Sequence, residues 1–138
     1  MNKELFEEFG KLNLPVGEYA IFGSGPMGIR NLRKCTDIDF IATDKLFTEL
    51  KRQPQWKEGV TCLGMEKLDC KNGRGDVEAI KEWAPGSWNI EQLIKNAEVI
   101  DGLPFVRLEE VLKWKKLWGR EKDQKDIKII EKYLEECF

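Results

Sequence analysis

The sequence predicts one α/β domain of the α+β kind, a mixed β-sheet flanked by helices with two helices at its C-terminal end. Three observations carry this expectation. Tyr19–Thr43 reads as strand, glycine loop, short helix and strand. Val60 to Trp83 is rich in strand formers and is divided by Asn72-Gly73-Arg74-Gly75, in which Asn-Gly is a strong hairpin signal. From Leu108 onward the apolar residues recur at helical spacing.

Each element has its own local reason. Leu5, Phe6, Phe9 and Leu12 share a helical face over 2–12, with Asn2 as the expected N-cap and Gly10 and Pro15 closing the helix. Glu18 to Phe22 is a short apolar strand running into the glycine loop. Met27 to Lys34 can hold two helical turns, Ile29 and Leu32 inward, Arg30, Arg33 and Lys34 outward. Asp37 to Thr43 alternates as a strand, with Asp37, Asp39 and Ile41 on one face and Ile38, Phe40 and Ala42 on the other. Asp44 is the expected N-cap of a helix through Lys51 that buries Leu46, Phe47 and Leu50, and Pro54 stops it.

The hairpin arms are 65–71 and 76–83, the second placing Asp76, Glu78 and Ile80 on one face. Asn89, with Gln92 at the capping-box position, opens a helix through about Ala97. Glu98–Ile100 and Phe105–Val106 are candidate short strands. The last two helices run from Leu108 to Trp118 and from Glu121 to Glu136, broken at Gly119. The first has Val111, Leu112, Lys115 and Trp118 along one stripe, and the second turns Ile127, Ile130 and Leu134 inward.

Composition narrows the function classes. The 138 residues suit one domain, long enough to form a core without staples, a need that appears mainly below roughly 70–80 residues. A formal net charge of -2 gives no overall basic field for nucleic acid or membrane. There is no histidine, so a histidine-bearing zinc site and any His-dependent triad are excluded. The four cysteines, Cys35, Cys62, Cys70 and Cys137, form no C-x-x-C pair. With a charged N-terminus lacking an apolar core, they point to reduced thiols in a cytoplasmic protein. No run approaches the roughly 20 apolar residues of a membrane span.

Two chemistries compete for the glycine loop. Gly23, Gly25 and Gly28 spell G-x-G-x-x-G, with Asp44 placed after the next strand where a ribose-binding acid of a dinucleotide site belongs. That motif alone is weak, and the chain does not continue as βαβ units. The competing chemistry uses Asp37 and Asp39, two acids on one strand face that repel each other unless a cation neutralises them. Mg²⁺ takes oxygen ligands, commonly one or two carboxylates plus substrate phosphates. Strand direction decides between the two. Parallel strands bring Asp44 to the loop, whereas antiparallel strands bring Asp37 and Asp39.

Gly23-Ser24, twelve intervening residues and Asp37-Ile38-Asp39-Phe40 together resemble the signature of the DNA polymerase beta-like nucleotidyltransferase superfamily. Lys115 through Ile127 is similar to a helical segment of its small bacterial members, which carry a lysine, then Arg-x-Lys-Asp, then Asp. The resemblance covers about Pro15 to Tyr133. It implies a nucleotidyltransferase-like fold and metal-dependent transfer of a nucleoside monophosphate from an NTP to a hydroxyl. It also implies Asp37, Asp39 and a third carboxylate as catalytic metal ligands for Mg²⁺ or Mn²⁺. Glu78 is the best match for the third acid and Asp76 the second.

Gly23, Ser24 and Gly25 are the candidate triphosphate cradle, through backbone amides and the Ser24 hydroxyl. Lys115 and Arg120 are candidate phosphate contacts or simple ion pairs, and Trp83, Trp88, Trp114 and Trp118 either stack a base or build core. The acceptor is a small molecule, a protein or an RNA end, recognised alone, across a homodimer or with a partner protein. Two alternatives stand beside this reading: a nucleotide-binding interaction module without turnover, of the toxin–antitoxin type, and a small NAD-binding protein.

Overall fold

The computed structural model describes residues 2–72 and 75–137. Its centre is a seven-stranded mixed sheet. The strands are β1 (Tyr19–Phe22), β2 (Ile38–Ala42), β3 (Lys57–Val60), β4 (Glu66–Asn72), β5 (Gly75–Ile80), β6 (Glu98–Ile100) and β7 (Leu103–Phe105), ordered β3-β4-β5-β2-β1-β7-β6. β1 and β2 are antiparallel, as are β3–β4, β4–β5 and β6–β7; β2–β5 and β1–β7 are parallel. The helices are α1 (Lys3–Gly10), α2 (Gly25–Gly28), α3 (Asp44–Lys51), α4 (Ile90–Lys95), α5 (Leu108–Trp118) and α6 (Asp123–Glu136).

The period-2 alternation of β2 sends its side chains into two cores. Ile38, Phe40 and Ala42 join Phe6 and Phe9 of α1 and Leu46, Phe47 and Leu50 of α3 on one face. Ile41 joins Leu93 of α4, Val111 and Trp114 of α5 and Ile130 of α6 on the other. Phe40 is fully buried against the edges of Phe9, Tyr19 and Trp56. A buried aromatic of this kind is worth roughly 3–5 kcal/mol against truncation to alanine.

Several local expectations change. Thr43, not Asp44, caps α3: its hydroxyl accepts the Leu46 N–H, and Asp44 becomes the first helical residue. Asn2 makes no cap bond. Its amide instead donates to the Gly28 and Arg33 carbonyls at 3.0 and 2.9 Å, and its oxygen accepts the Cys35 N–H at 2.9 Å. Asn2 is 3% exposed, so these bonds staple the segment after the glycine loop to the start of α1.

The helix expected over 27–34 is only α2, one turn, because Asn31 takes a left-handed φ of 58° and breaks it. Arg30 does not face solvent. It donates to the Pro26 carbonyl and pairs with Glu98 of β6. The β4–β5 ladder closes at Asn72↔Gly75, as the hairpin reading requires, while Gly73 and Arg74 of the expected turn lie outside the described residues. β3, an added edge strand, covers the outer side of β4. Among the described residues no helix is long and apolar enough to cross a membrane.

Candidate active site

Strand direction places the acids. β1 runs antiparallel to β2 with Phe22 opposite Asp39, so the glycine loop that follows Phe22 lies beside the start of β2. Tyr19 pairs with Ala42 at the other end, so Asp44 leaves the sheet away from the loop. Gly23 is required on two counts: its φ is +66°, and a Cβ there would stand 3.1 Å from Asp39 Oδ2. The other glycines of the motif serve packing. A Cβ at Gly25 would meet Ile21 Cγ2 at 2.3 Å, and one at Gly28 would meet Cys35 Cβ at 2.9 Å. Close packing of α2 on β1 and Cys35 accounts for G-x-G-x-x-G without a dinucleotide.

The sheet register then assembles a row of carboxylates. Asp39 pairs with Glu78 across β2–β5, and Glu78 pairs with Asp69 across β5–β4. The register therefore sets Glu78, not Asp76, alongside Asp39. Asp76 lies next to Asp37, where its backbone N–H donates to Asp37 Oδ1 at 3.2 Å. Asp69 is an acid that sequence reasoning does not pick out. Its signal was the hairpin register, which sets it opposite Glu78 once Asn72 is known to pair with Gly75. Lys67, two residues back on the same strand face, brings its Nζ to 3.1 Å from Asp69 Oδ2 and 3.7 Å from Glu78 Oε1.

Electrostatics reflects this crowding. Burial is the largest influence on the Asp39 carboxyl, followed by the charge of Glu78, a hydrogen bond with it, and the charges of Asp37 and Asp69; together they push it up to about 8. The hydrogen bond to Asp69 holds the Lys67 ammonium above its ordinary value against the opposing effect of burial.

An all-oxygen donor set crowded enough to raise the Asp39 carboxyl suits a hard divalent cation. Among the described residues no three acidic or cysteine side chains already form a metal cage. Asp39 and Glu78 are the paired carboxylates that could hold such an ion, with Asp37 beside them. Two carboxylates are what Mg²⁺ commonly takes when phosphate oxygens complete its shell.

Two depressions meet at this row. Asp39, Lys67 and Glu78 line both. One, about 700 Å³, is polar and includes Asp37, Asp69, Asp76, Lys57 and Lys71. The other, about 330 Å³, is walled by Phe22, Trp83, Trp114, Trp118 and Arg120. The Arg120 guanidinium lies 4.1 Å from the Trp118 ring centroid, a cation–π stack, while its Nε donates to Asp123 Oδ2 at 2.8 Å. Trp83 and Trp114 are core residues whose rings also form this wall. Among the described residues, Trp83 Nε1 is the buried side-chain nitrogen that lacks a hydrogen-bond partner.

The remaining candidates are engaged internally. The Cys35 thiol donates to the Asp37 carbonyl at 3.1 Å, so at 3.1 Å from its sulfur the Ser24 hydroxyl is the donor. The Ser24 hydroxyl is thereby engaged with Cys35, and of the expected cradle the backbone amides of Gly23, Ser24 and Gly25 are the groups that could meet a phosphate. Lys115 is 4% exposed, 3.4 Å from Asp123 Oδ1 and 3.2 Å from Asp126 Oδ2, and is absent from both linings. Arg33 also reaches Asp126, at 2.5 Å, which ties this network to the segment behind the glycine loop. Burial alone would raise the Asp123 carboxyl, but Arg120 and Lys115 hold it below its usual value.

Lys115→Ala removes the buried ammonium shared by Asp123 and Asp126, which keep Arg120 and Arg33 as partners, and is expected to cost about 1–3 kcal/mol in urea unfolding. A stability within about 0.5 kcal/mol of wild type, the size of a surface substitution, would contradict a structural lysine. The pH prediction follows from Asp39. Its folded value of about 8 exceeds the roughly 3.9 of an unfolded aspartate, so the folded state binds the proton more tightly. Its stability contribution is full below about pH 4 and is lost as pH rises through about 8. Metal-free melts should show wild type losing stability from pH 5 to 8 by up to about 1.4 kcal/mol per unit relative to Asp39→Asn. Parallel curves would contradict this.

No protein-family model matches the sequence, and no curated protein matches it. The fold is similar to the crystal structure of a putative nucleotidyltransferase from Thermotoga maritima, with a TM-score of 0.60 and 16% sequence identity. The match covers 97% of this chain and 92% of that one. At this identity the likeness is one of fold, and the chain has a nucleotidyltransferase-like fold.

Proposed function

We propose that the domain is a metal-dependent nucleotidyltransferase that moves a nucleoside monophosphate from an NTP to a hydroxyl acceptor, with Mg²⁺ or Mn²⁺ as cofactor. The observation that carries this is the register Phe22↔Asp39↔Glu78, which sets the glycine loop against two paired carboxylates. The fold likeness to a nucleotidyltransferase supports it. Backbone amides of Gly23, Ser24 and Gly25 hold the triphosphate against the row. Asp39 and Glu78 hold the cation, with Asp37 next to them. When bound, the ion neutralises charge on the phosphates and on the departing pyrophosphate.

The acceptor hydroxyl attacks the α-phosphate in line, and a carboxylate of the row accepts its proton. The chain's share is positioning and charge compensation. The aromatic depression with Arg120 suits a base, and the polar one suits the acceptor, whether a small molecule, a protein or an RNA end, met alone or with a second protein.

A second reading is a nucleotide-binding interaction module without turnover, in which the same loop and row bind the metal-bound nucleotide. Metal-dependent NTP binding without any product would select it.

Thermal melts with each of the four NTPs and NAD, with and without Mg²⁺ or Mn²⁺, test the proposal. A shift that needs both NTP and metal is expected, worth about 2.7 kcal/mol at a hundredfold excess over Kd. It should vanish in Asp39→Asn, with transfer reduced at least ~100-fold. A metal-independent shift with NAD would overturn the assignment.

A further inference from the structure

The lysine inside the carboxylate row has a consequence for what the row accepts. Lys67 stands on β4 two residues before Asp69, and its Nζ contacts both Asp69 and Glu78 at 3.1 and 3.7 Å. Its side chain is 25% exposed, and it lines both depressions. The stem is accommodated from the other side as well. Gly59 faces Lys67 across β3–β4, and a Cβ there would stand 3.1 Å from Lys67 Cε and 3.6 Å from its Cγ. A bare glycine on the neighbouring strand leaves room for the stem where the ammonium meets the acids.

Such a lysine acts with opposite sign on two ligands. A bare divalent cation approaching Glu78 meets a positive charge already in contact with that carboxylate, and must displace it or bear its repulsion. A metal–triphosphate complex carries net negative charge, so the same ammonium attracts it.

We propose that Lys67 is a specificity-determining residue that disfavours bare divalent cation at the row and favours the metal–triphosphate complex. This rests on the nucleotidyltransferase reading above. The cation then enters with its nucleotide, which agrees with a row that offers two paired carboxylates and no complete cage.

Lys67→Met keeps the stem and removes the charge, and Lys67→Arg keeps the charge. Mn²⁺ affinity is read directly from the free-ion electron paramagnetic resonance signal. Affinity for an α,β-methylene NTP, of the base giving the largest thermal shift, is read by calorimetry at saturating Mn²⁺. In Lys67→Met the two should move apart: Mn²⁺ alone binds about three- to five-fold tighter and the nucleotide about three- to five-fold weaker, the size of a part-exposed charge contact. Lys67→Arg should restore the wild-type order.

A fall in both affinities, or failure of arginine to restore them, would show a merely structural lysine and overturn the proposal. Mn²⁺ binding that is lost in Asp39→Asn but unchanged in Lys67→Met would overturn this proposal and spare the transferase reading. Absence of Asp39-dependent Mn²⁺ binding in wild type would overturn both.

Discussion

Like charges on adjacent strands repel, and the central sheet brings Asp39, Glu78 and Asp69 into one row. A fold that does this must compensate the charge or keep a proton there. In the metal-free chain both happen. Burial and the neighbouring acids drive the Asp39 carboxyl up to about 8, and Lys67 leans across Asp69 and Glu78. Neither feature helps the sheet form. Pairs of valines at these positions would bury apolar area at no electrostatic cost. The row is a local departure from what stability alone would select, and such departures mark sites.

The surroundings hold that row in place. Two cores grip the sheet from opposite faces, so β2 cannot shift by one residue without turning Ile38, Phe40 and Ala42 away from α1 and α3. Asn2 ties Gly28, Arg33 and Cys35 together behind the glycine loop. Arg33 connects that segment to the buried Lys115–Asp123–Asp126 network between α5 and α6. The charged C-terminal run thereby reaches the glycine loop through its support and not through its face. Arg120 is the charged member of that run that fronts the aromatic depression, beside Trp118.

Much of this was legible in the sequence because it rests on short-range rules. The alternation of 37–43 gave both faces of β2, the cap at Asn89 was correct, and Gly119 ends α5 with a left-handed φ of 65°. What the sequence did not disclose depends on pairing between distant strands. Asp69 and Lys67 look like solvated hairpin residues until the register is known. Asn2 looks like a cap because a cap and a tertiary staple use the same amide. Gly25 and Gly28 imitate a dinucleotide motif because close packing against Ile21 and Cys35 calls for the same missing Cβ as a phosphate does.

The proposed function requires the loop and the carboxylate row together to direct attack at the α-phosphate. Phosphorus-31 resonance of the products formed from an NTP, with Mg²⁺ and a pool of hydroxyl acceptors, examines this bond by bond. Pyrophosphate together with a phosphodiester-linked nucleoside monophosphate is expected, and neither with Asp39→Asn. Orthophosphate and a nucleoside diphosphate would place cleavage at the γ-phosphate and contradict it.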